Sequence, residues 1–152
     1  FIFFLFLFAR GAHARAAEGG GADALVVANA LLGMAIDATN FRPKLGNLMG
    51  GLTGPATKPV ILRMVYQCAR AVSTPIIGCG GIATVADVVE YMLAGATAIQ
   101  VGTANFIHPD AMINIINGLP EFCEQQGLER VAELTGSLIL GNEDRPARDA
   151  AI

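Results

Sequence analysis

The chain contains no tryptophan, two histidines (His13 and His108) and three cysteines (Cys68, Cys79 and Cys123) among its 152 residues. Two distant histidines and an odd set of cysteines match no zinc-ligand spacing, so no metal site is expected. The same cysteines do not make a disulfide framework and suit a reducing compartment, which points to the cytoplasm. Charge is also scarce. Only 15% of residues are charged, against roughly 25% in ordinary soluble domains. Much of the surface is therefore expected to be covered, in a larger fold or an oligomer. The net charge of −3 and the lack of any basic run give no support for nucleic-acid binding, and none is expected.

Long apolar runs are missing too. The longest, FIFFLFLF at 1–8, falls well short of the ~20 residues of a membrane helix, so no membrane partner is expected. A signal peptide would place positive charge before such a run, and nothing precedes Phe1. The chain also does not begin with Met. The leading expectation is a fragment with a corrupted start, residues 1–13 standing apart from a domain at 14–152. A buried strand is the second reading and a signal remnant the third. Finally, no G-K-[ST] occurs and no G-x-G-x-x-G opens a helix, so the nucleotide motifs of doubly wound folds are absent.

What is present is an alternation of strand and helix patterns. Residues 14–18 read as a helix end stopped by Gly19, Gly20 and Gly21. ALVVA (24–28) is a continuous apolar run, as in a parallel strand buried on both faces. A long loop is expected from 33 to about 56, and its length points to function. Pro59 suits a first helical turn, after which Ile61, Val65, Cys68 and Val72 recur at helical spacing. A strand over 75–78 follows. Val85, Val88, Val89, Met92 and Leu93 then mark one helix face, closed by Gly95, and 97–101 form a third strand. Helical patterns resume at Asp110, with a break expected at Pro120 and a short last helix over 128–135.

Short strands separated by helices imply right-handed crossovers and a parallel sheet. In such folds ligands sit at the carboxyl ends of the strands. Asn29 ends the first strand, Gly80 and Gly81 the second, and Gly102 and Thr103 the third. Backbone N–H groups at such ends can hold a phosphate if no Cβ keeps the anion away. Tight turns alone would also place glycine there. Two successive strands ending alike favour phosphate binding and a (β/α)₈ barrel. GGLTG (50–54) offers a further backbone concavity. Asn29 could cap the strand or recognise an imide-like ring edge, since an amide carries donor and acceptor together. Asp37, Lys58 and Arg63 read as solvated or salt-bridged positions rather than site charges, Cys68 as a core residue, and His108 as a surface residue.

With these motifs assembled, the chain resembles the class 1 dihydroorotate dehydrogenases from about residue 14 to 140. GGADALVVANALLGMAID (20–37) is similar to the family's sixth-strand segment, and GGLTGPATKPVILRMVYQ (50–67) to its Gly-rich loop and following helix. PIIGCGGIATVADVVEYMLAGATAIQVGTANF (75–106) is similar to its seventh and eighth units. The GMAID segment and loop wording most resemble the NAD-linked type 1B catalytic subunit. The resemblance implies strands 6–8 of a TIM barrel and FMN-dependent oxidation of dihydroorotate to orotate, in pyrimidine (UMP) synthesis. Electrons would pass to NAD through a partner subunit carrying FAD and a 2Fe-2S cluster, and the whole enzyme would be a homodimer. Ala28, Gly54, Gly80, Gly81, Gly102 and Thr103 would bind FMN. Asn29 and Ala30 would hold the substrate, with Ala30 standing where the family usually has threonine. The family's base cysteine belongs to an upstream loop, so no catalytic residue is expected in this chain, and the chain alone is expected to be inactive. The lysine of the fifth strand is also absent, its place falling in FIFFLFLF. Three alternatives stay open: a related flavin barrel such as dihydropyrimidine dehydrogenase, a non-redox phosphate-binding barrel, and a decayed gene product.

Overall fold

The computed structural model describes residues 2–4 and 10–141. Its framework is a four-stranded parallel sheet of β1 (Ile2–Phe4), β2 (Ala24–Val27), β7 (Ile76–Cys79) and β8 (Ala98–Gln100), in the order β1-β2-β7-β8. Phe3 pairs with Leu25, Val26 with Ile77, and Gly78 with Ile99. Each strand joins the same side of the one before it. A doubly wound sheet would reverse its order at a switch point, and this arc does not. A (β/α)₈ barrel adds its parallel strands in sequence order in the same way. Within FIFFLFLF, the backbone of Ile2–Phe4 is a strand. Residues 1 and 5–9 lie outside the described residues.

Helices α1 (Arg10–Gly19), α2 (Lys58–Ala69) and α3 (Val85–Leu93) separate these strands. Their apolar faces meet the sheet because their hydrophobic residues recur at helical spacing. Ile61, Met64, Val65 and Cys68 of α2 and Val88, Val89, Tyr91 and Met92 of α3 are buried against Leu25, Val27 and Ile76. Thr84 caps α3, its hydroxyl accepting from the Asp87 N–H while the Asp87 carboxylate accepts from the Thr84 N–H, a reciprocal box that fixes where the helix starts. At the other end Gly95, with φ 111°, lets the chain turn back so that the Gly95 and Ala96 N–H groups reach the Met92 and Tyr91 carbonyls.

Three expectations are corrected here. The stretch from 33 to 56 is not a plain loop. It carries two antiparallel ribbons, β3 (Leu31–Met34) with β6 (Met49–Leu52) and β4 (Ile36–Asp37) with β5 (Arg42–Pro43). Cross-strand bonding gives it order although most of its side chains are exposed, including Leu32, Phe41 and Leu52. The helix expected to break at Pro120 runs through it: after the short α4 (Ala104–Ile107), α5 spans Ala111–Gln126. Pro120 is exposed, as is Ile116, whose carbonyl receives no hydrogen bond from a proline at 120. Ile115 and Cys123 anchor the opposite face. The last helical segment is a 3₁₀ turn at Val131–Leu134, shorter than the expected 128–135.

Candidate functional site

The carboxyl ends of β2, β7 and β8 converge on one pocket of about 110 Å³, with the segment from Leu52 to Ile61 as its fourth wall. Ala28, Asn29 and Ala30 come from the end of β2, Gly54 from the turn before α2, Cys79, Gly80 and Gly81 from β7 and its turn, and Gly102 and Thr103 from the end of β8. All eight residues singled out for cofactor or substrate therefore line a single concavity, although they span 28 to 103 in sequence.

The glycines are there for different reasons. At Gly81, φ is 70°, and a Cβ would lie 2.8 Å from the Gly54 carbonyl oxygen and 2.9 Å from the Lys58 backbone nitrogen. At Gly80 a Cβ would run into Ile61. Both are required by the protein's own packing, before any ligand is considered. Gly102 differs, since its φ is not in the left-handed region and a Cβ there would meet nothing within 4 Å. Its missing side chain keeps open the space in front of the strand end, which is the property expected of an anion cradle. Among the described residues, no acceptor sits on the backbone N–H groups of Gly80, Gly81, Gly102 or Thr103. Four unengaged donors around a small concavity are the chemistry that phosphate oxygens take.

The pocket walls are held by side chains of which the sequence singled out only Lys58, as a solvated or salt-bridged position. Thr57 is buried, and both its N–H and its hydroxyl donate to the Gly54 carbonyl, at 3.0 and 2.9 Å. This closes the 3₁₀ turn Pro55–Thr57 and sets Gly54 at φ 92°. The Tyr91 hydroxyl donates to the Gly80 carbonyl at 2.6 Å. Lys58 donates to Asp87 at 2.7 Å and to Glu90 at 3.0 Å. Asp87 could have been noticed from the T-V-A-D spacing of a capping box at 84–87. Nothing in the sequence marks Thr57 or Tyr91, because their roles depend on which carbonyl the fold brings near.

Asn29 is exposed, and its Oδ1 accepts from the next residue's N–H at 2.8 Å. One acceptor lone pair is thus used locally, while no described residue accepts from the Nδ2 group. Asn29 offers a ligand mainly its donor. Ala30 lies against the ribbon, its Cβ 2.8 Å from where a side chain on Gly51 would begin. Asp37 accepts from the Thr39 N–H and from Asn40, which makes it a turn residue. Arg63 pairs with Gln67 on the surface and His108 is exposed.

No group of three or more His, Cys, Asp or Glu side chains could hold a metal among the described residues. Nor is any described helix long and apolar enough to cross a membrane. Cys68 and Cys123 are buried. Burial pushes the Cys68 thiol up to about 11. Cys79 is inside the pocket, but burial raises its thiol as well, so at neutral pH it is a protonated thiol and a poor proton acceptor.

Residues 8–123 match the family model described as dihydroorotate dehydrogenase. The catalytic subunit of dihydroorotate dehydrogenase B (NAD(+)) from Alkaliphilus oremlandii is 54% identical over 125 residues, covering 82% of this chain and 41% of that protein. The subunit of the same name from Geotalea uraniireducens is 56% identical over 126 residues, covering 83% of this chain and 41% of the relative. The chain thus spans about two fifths of the length of the curated relatives it matches. Among solved structures, DHODH in complex with ferulenol from Eimeria tenella superposes with a TM-score of 0.71 at 25% identity, over 88% of this chain and 35% of that one. The parallel arc is accordingly part of an α/β barrel.

Proposed function

Because the chain belongs to the dihydroorotate dehydrogenase family, we propose that the pocket holds the phosphate of FMN at the carboxyl ends of β2, β7 and β8. The observation that carries this reading is the convergence of Ala28, Gly54, Gly80, Gly81, Gly102 and Thr103 on one concavity with four unengaged N–H donors. Bound there, FMN would supply a hydride acceptor for oxidation of dihydroorotate to orotate in pyrimidine (UMP) synthesis. The chain's own part is to bind and orient. The N–H groups of Gly80, Gly81, Gly102 and Thr103 would anchor the phosphate, and the Thr103 hydroxyl would add a donor. The Asn29 amide, beside Ala30 at the end of β2, would donate to a carbonyl of the substrate ring.

Oxidation across a carbon–carbon bond also needs a base for the proton. Cys79 does not suit that role, because its thiol is held protonated. The resemblance assigns the base to an upstream cysteine, outside the stretch matched here. Electron delivery to NAD would use a second subunit, as the relatives' designation as a catalytic subunit suggests, and the holoenzyme would be a homodimer working in the cytoplasm.

The direct test is to fuse residues 14–141 behind the upstream portion of the Alkaliphilus oremlandii catalytic subunit and to assay dihydroorotate oxidation. A flavin absorbance spectrum with substrate-dependent bleaching is expected. A folded fusion that retains phosphate but takes up no flavin would instead favour a non-redox phosphate-binding barrel.

A further inference from the structure

We propose that Tyr91 is a positioning residue for the phosphate cradle, acting by locking the Gly80–Gly81 peptide so that the Gly81 N–H faces the pocket. The inference rests on the reading of the pocket as a phosphate site, and goes beyond it in naming what orients the donor.

Tyr91 lies on α3 and is fully buried. Its ring fills the space over Gly78, where a Cβ would come within 2.5 Å of Cδ1. That packing fixes where the hydroxyl can go, and the hydroxyl donates to the Gly80 carbonyl at 2.6 Å. Among the described residues the one cis peptide is Val27–Ala28, so the Gly80–Gly81 peptide is trans. In a trans peptide the C=O and N–H bonds point in opposite directions. Anchoring the Gly80 carbonyl on Tyr91 therefore aims the Gly81 N–H away from the core. Gly81 lines the pocket, and no described residue accepts from its N–H.

A lock is needed here more than elsewhere. The peptide lies between two glycines, at φ 148° and 70°, and with no Cβ on either side little else resists rotation of its plane. A rotated peptide would present the Gly80 carbonyl to the phosphate, replacing a donor with a repelling oxygen. A buried tyrosine hydroxyl needs an acceptor in any case. The two roles differ in what they predict: satisfying Tyr91 concerns stability, while aiming Gly81 concerns phosphate alone.

The test compares FMN with riboflavin, which lacks the phosphate, on the 152-residue chain and on Tyr91→Phe. Both are titrated by flavin fluorescence, and folding is followed by circular dichroism. The chain is expected to prefer FMN. Tyr91→Phe keeps the ring, so its affinity for FMN should fall about fivefold, the loss of one oriented hydrogen bond, with riboflavin binding held within about twofold of the parent. Equal losses for both ligands, or an FMN preference that survives in Tyr91→Phe, would overturn the positioning role alone. No FMN preference in the parent chain would overturn the phosphate reading and this inference with it. If Tyr91→Phe fails to fold, the amide resonance of Gly81 in the parent chain decides the matter. It should move downfield on addition of inorganic phosphate, and an unmoved resonance refutes the proposal.

Discussion

The Lys58 ammonium lies 2.7 Å from Asp87 Oδ1 and 3.0 Å from Glu90 Oε1, joining the first turn of α2 to α3 across the Gly81 turn. Asp87 uses its other oxygen for the Ala83 and Thr84 N–H groups, each at 2.9 Å. One carboxylate thus holds both the start of α3 and the turn that lines the pocket.

This pair should make stability depend on pH. Burial pushes the Asp87 carboxyl up, but the bonds from Lys58, Ala83 and Thr84 outweigh it and leave the group below its ordinary value. A depressed carboxyl stabilises the fold above the unfolded value of about 3.9. That contribution is lost as pH falls through the lower folded value. The Lys58 ammonium is raised by the bonds to Asp87 and Glu90, so its contribution persists at neutral pH and disappears only above its ordinary range. Asp87→Asn should cost about 1–3 kcal/mol at pH 7 and flatten the acid limb of a urea-unfolding series between pH 2 and about 5. An acid limb unchanged in Asp87→Asn would place the titrating group elsewhere.

The glycines separate packing from binding. Gly81→Ala forces a Cβ onto the Gly54 carbonyl at a positive φ and should destabilise the fold by about 2 kcal/mol or more. Gly102→Ala meets no atom within 4 Å, so stability should stay within about 0.5 kcal/mol while FMN affinity drops. Thermal melts paired with flavin titrations read both quantities. A Gly102→Ala protein with parental FMN affinity would remove that residue from the cradle.

Cys79 should behave as an unreactive thiol despite its place in the pocket. With the thiol held protonated by burial, iodoacetamide at pH 7.5 should label it more slowly in the native chain than in urea, and likewise Cys68. Mass spectrometry of the labelled peptides reports each site. Rapid native labelling of Cys79 would reveal a thiolate and reopen a chemical role for it.

Ala30→Thr restores the hydroxyl that the family resemblance places beside Asn29. In the fused enzyme, dihydroorotate should bind about 2–12-fold more tightly, the equivalent of one hydrogen bond. Matching affinities for the two proteins would show that the hydroxyl is not used.

The parts legible in the sequence were those with local causes. The apolar run at 24–28 read as a buried strand and forms β2, and Val88, Val89 and Met92 showed the buried face of α3 by spacing alone. Glycine at the ends of β7 and β8 located the pocket, although the sequence could not say why each glycine was there. The ribbons between residues 31 and 52 stayed hidden because their pairing, Met34 with Met49 and Leu31 with Leu52, links residues too distant for any periodicity. Pro120 read as a breaker because its missing hydrogen bond is local, whereas the packing of Ile115 and Cys123 that carries the helix through it is not.

The sequence by itself determined the alternation of strands and helices and the cluster of small residues at the strand ends, since periodicity and glycine content are properties of neighbouring residues. Only the tertiary structure decided that eight of those residues share one pocket. It also decided that Gly80 and Gly81 answer to Ile61, Gly54 and Lys58, and that Tyr91 reaches the Gly80 carbonyl. Those relations are contacts across the sheet and between helices, and they exist only once hydrophobic burial has brought α2 and α3 against the same strands.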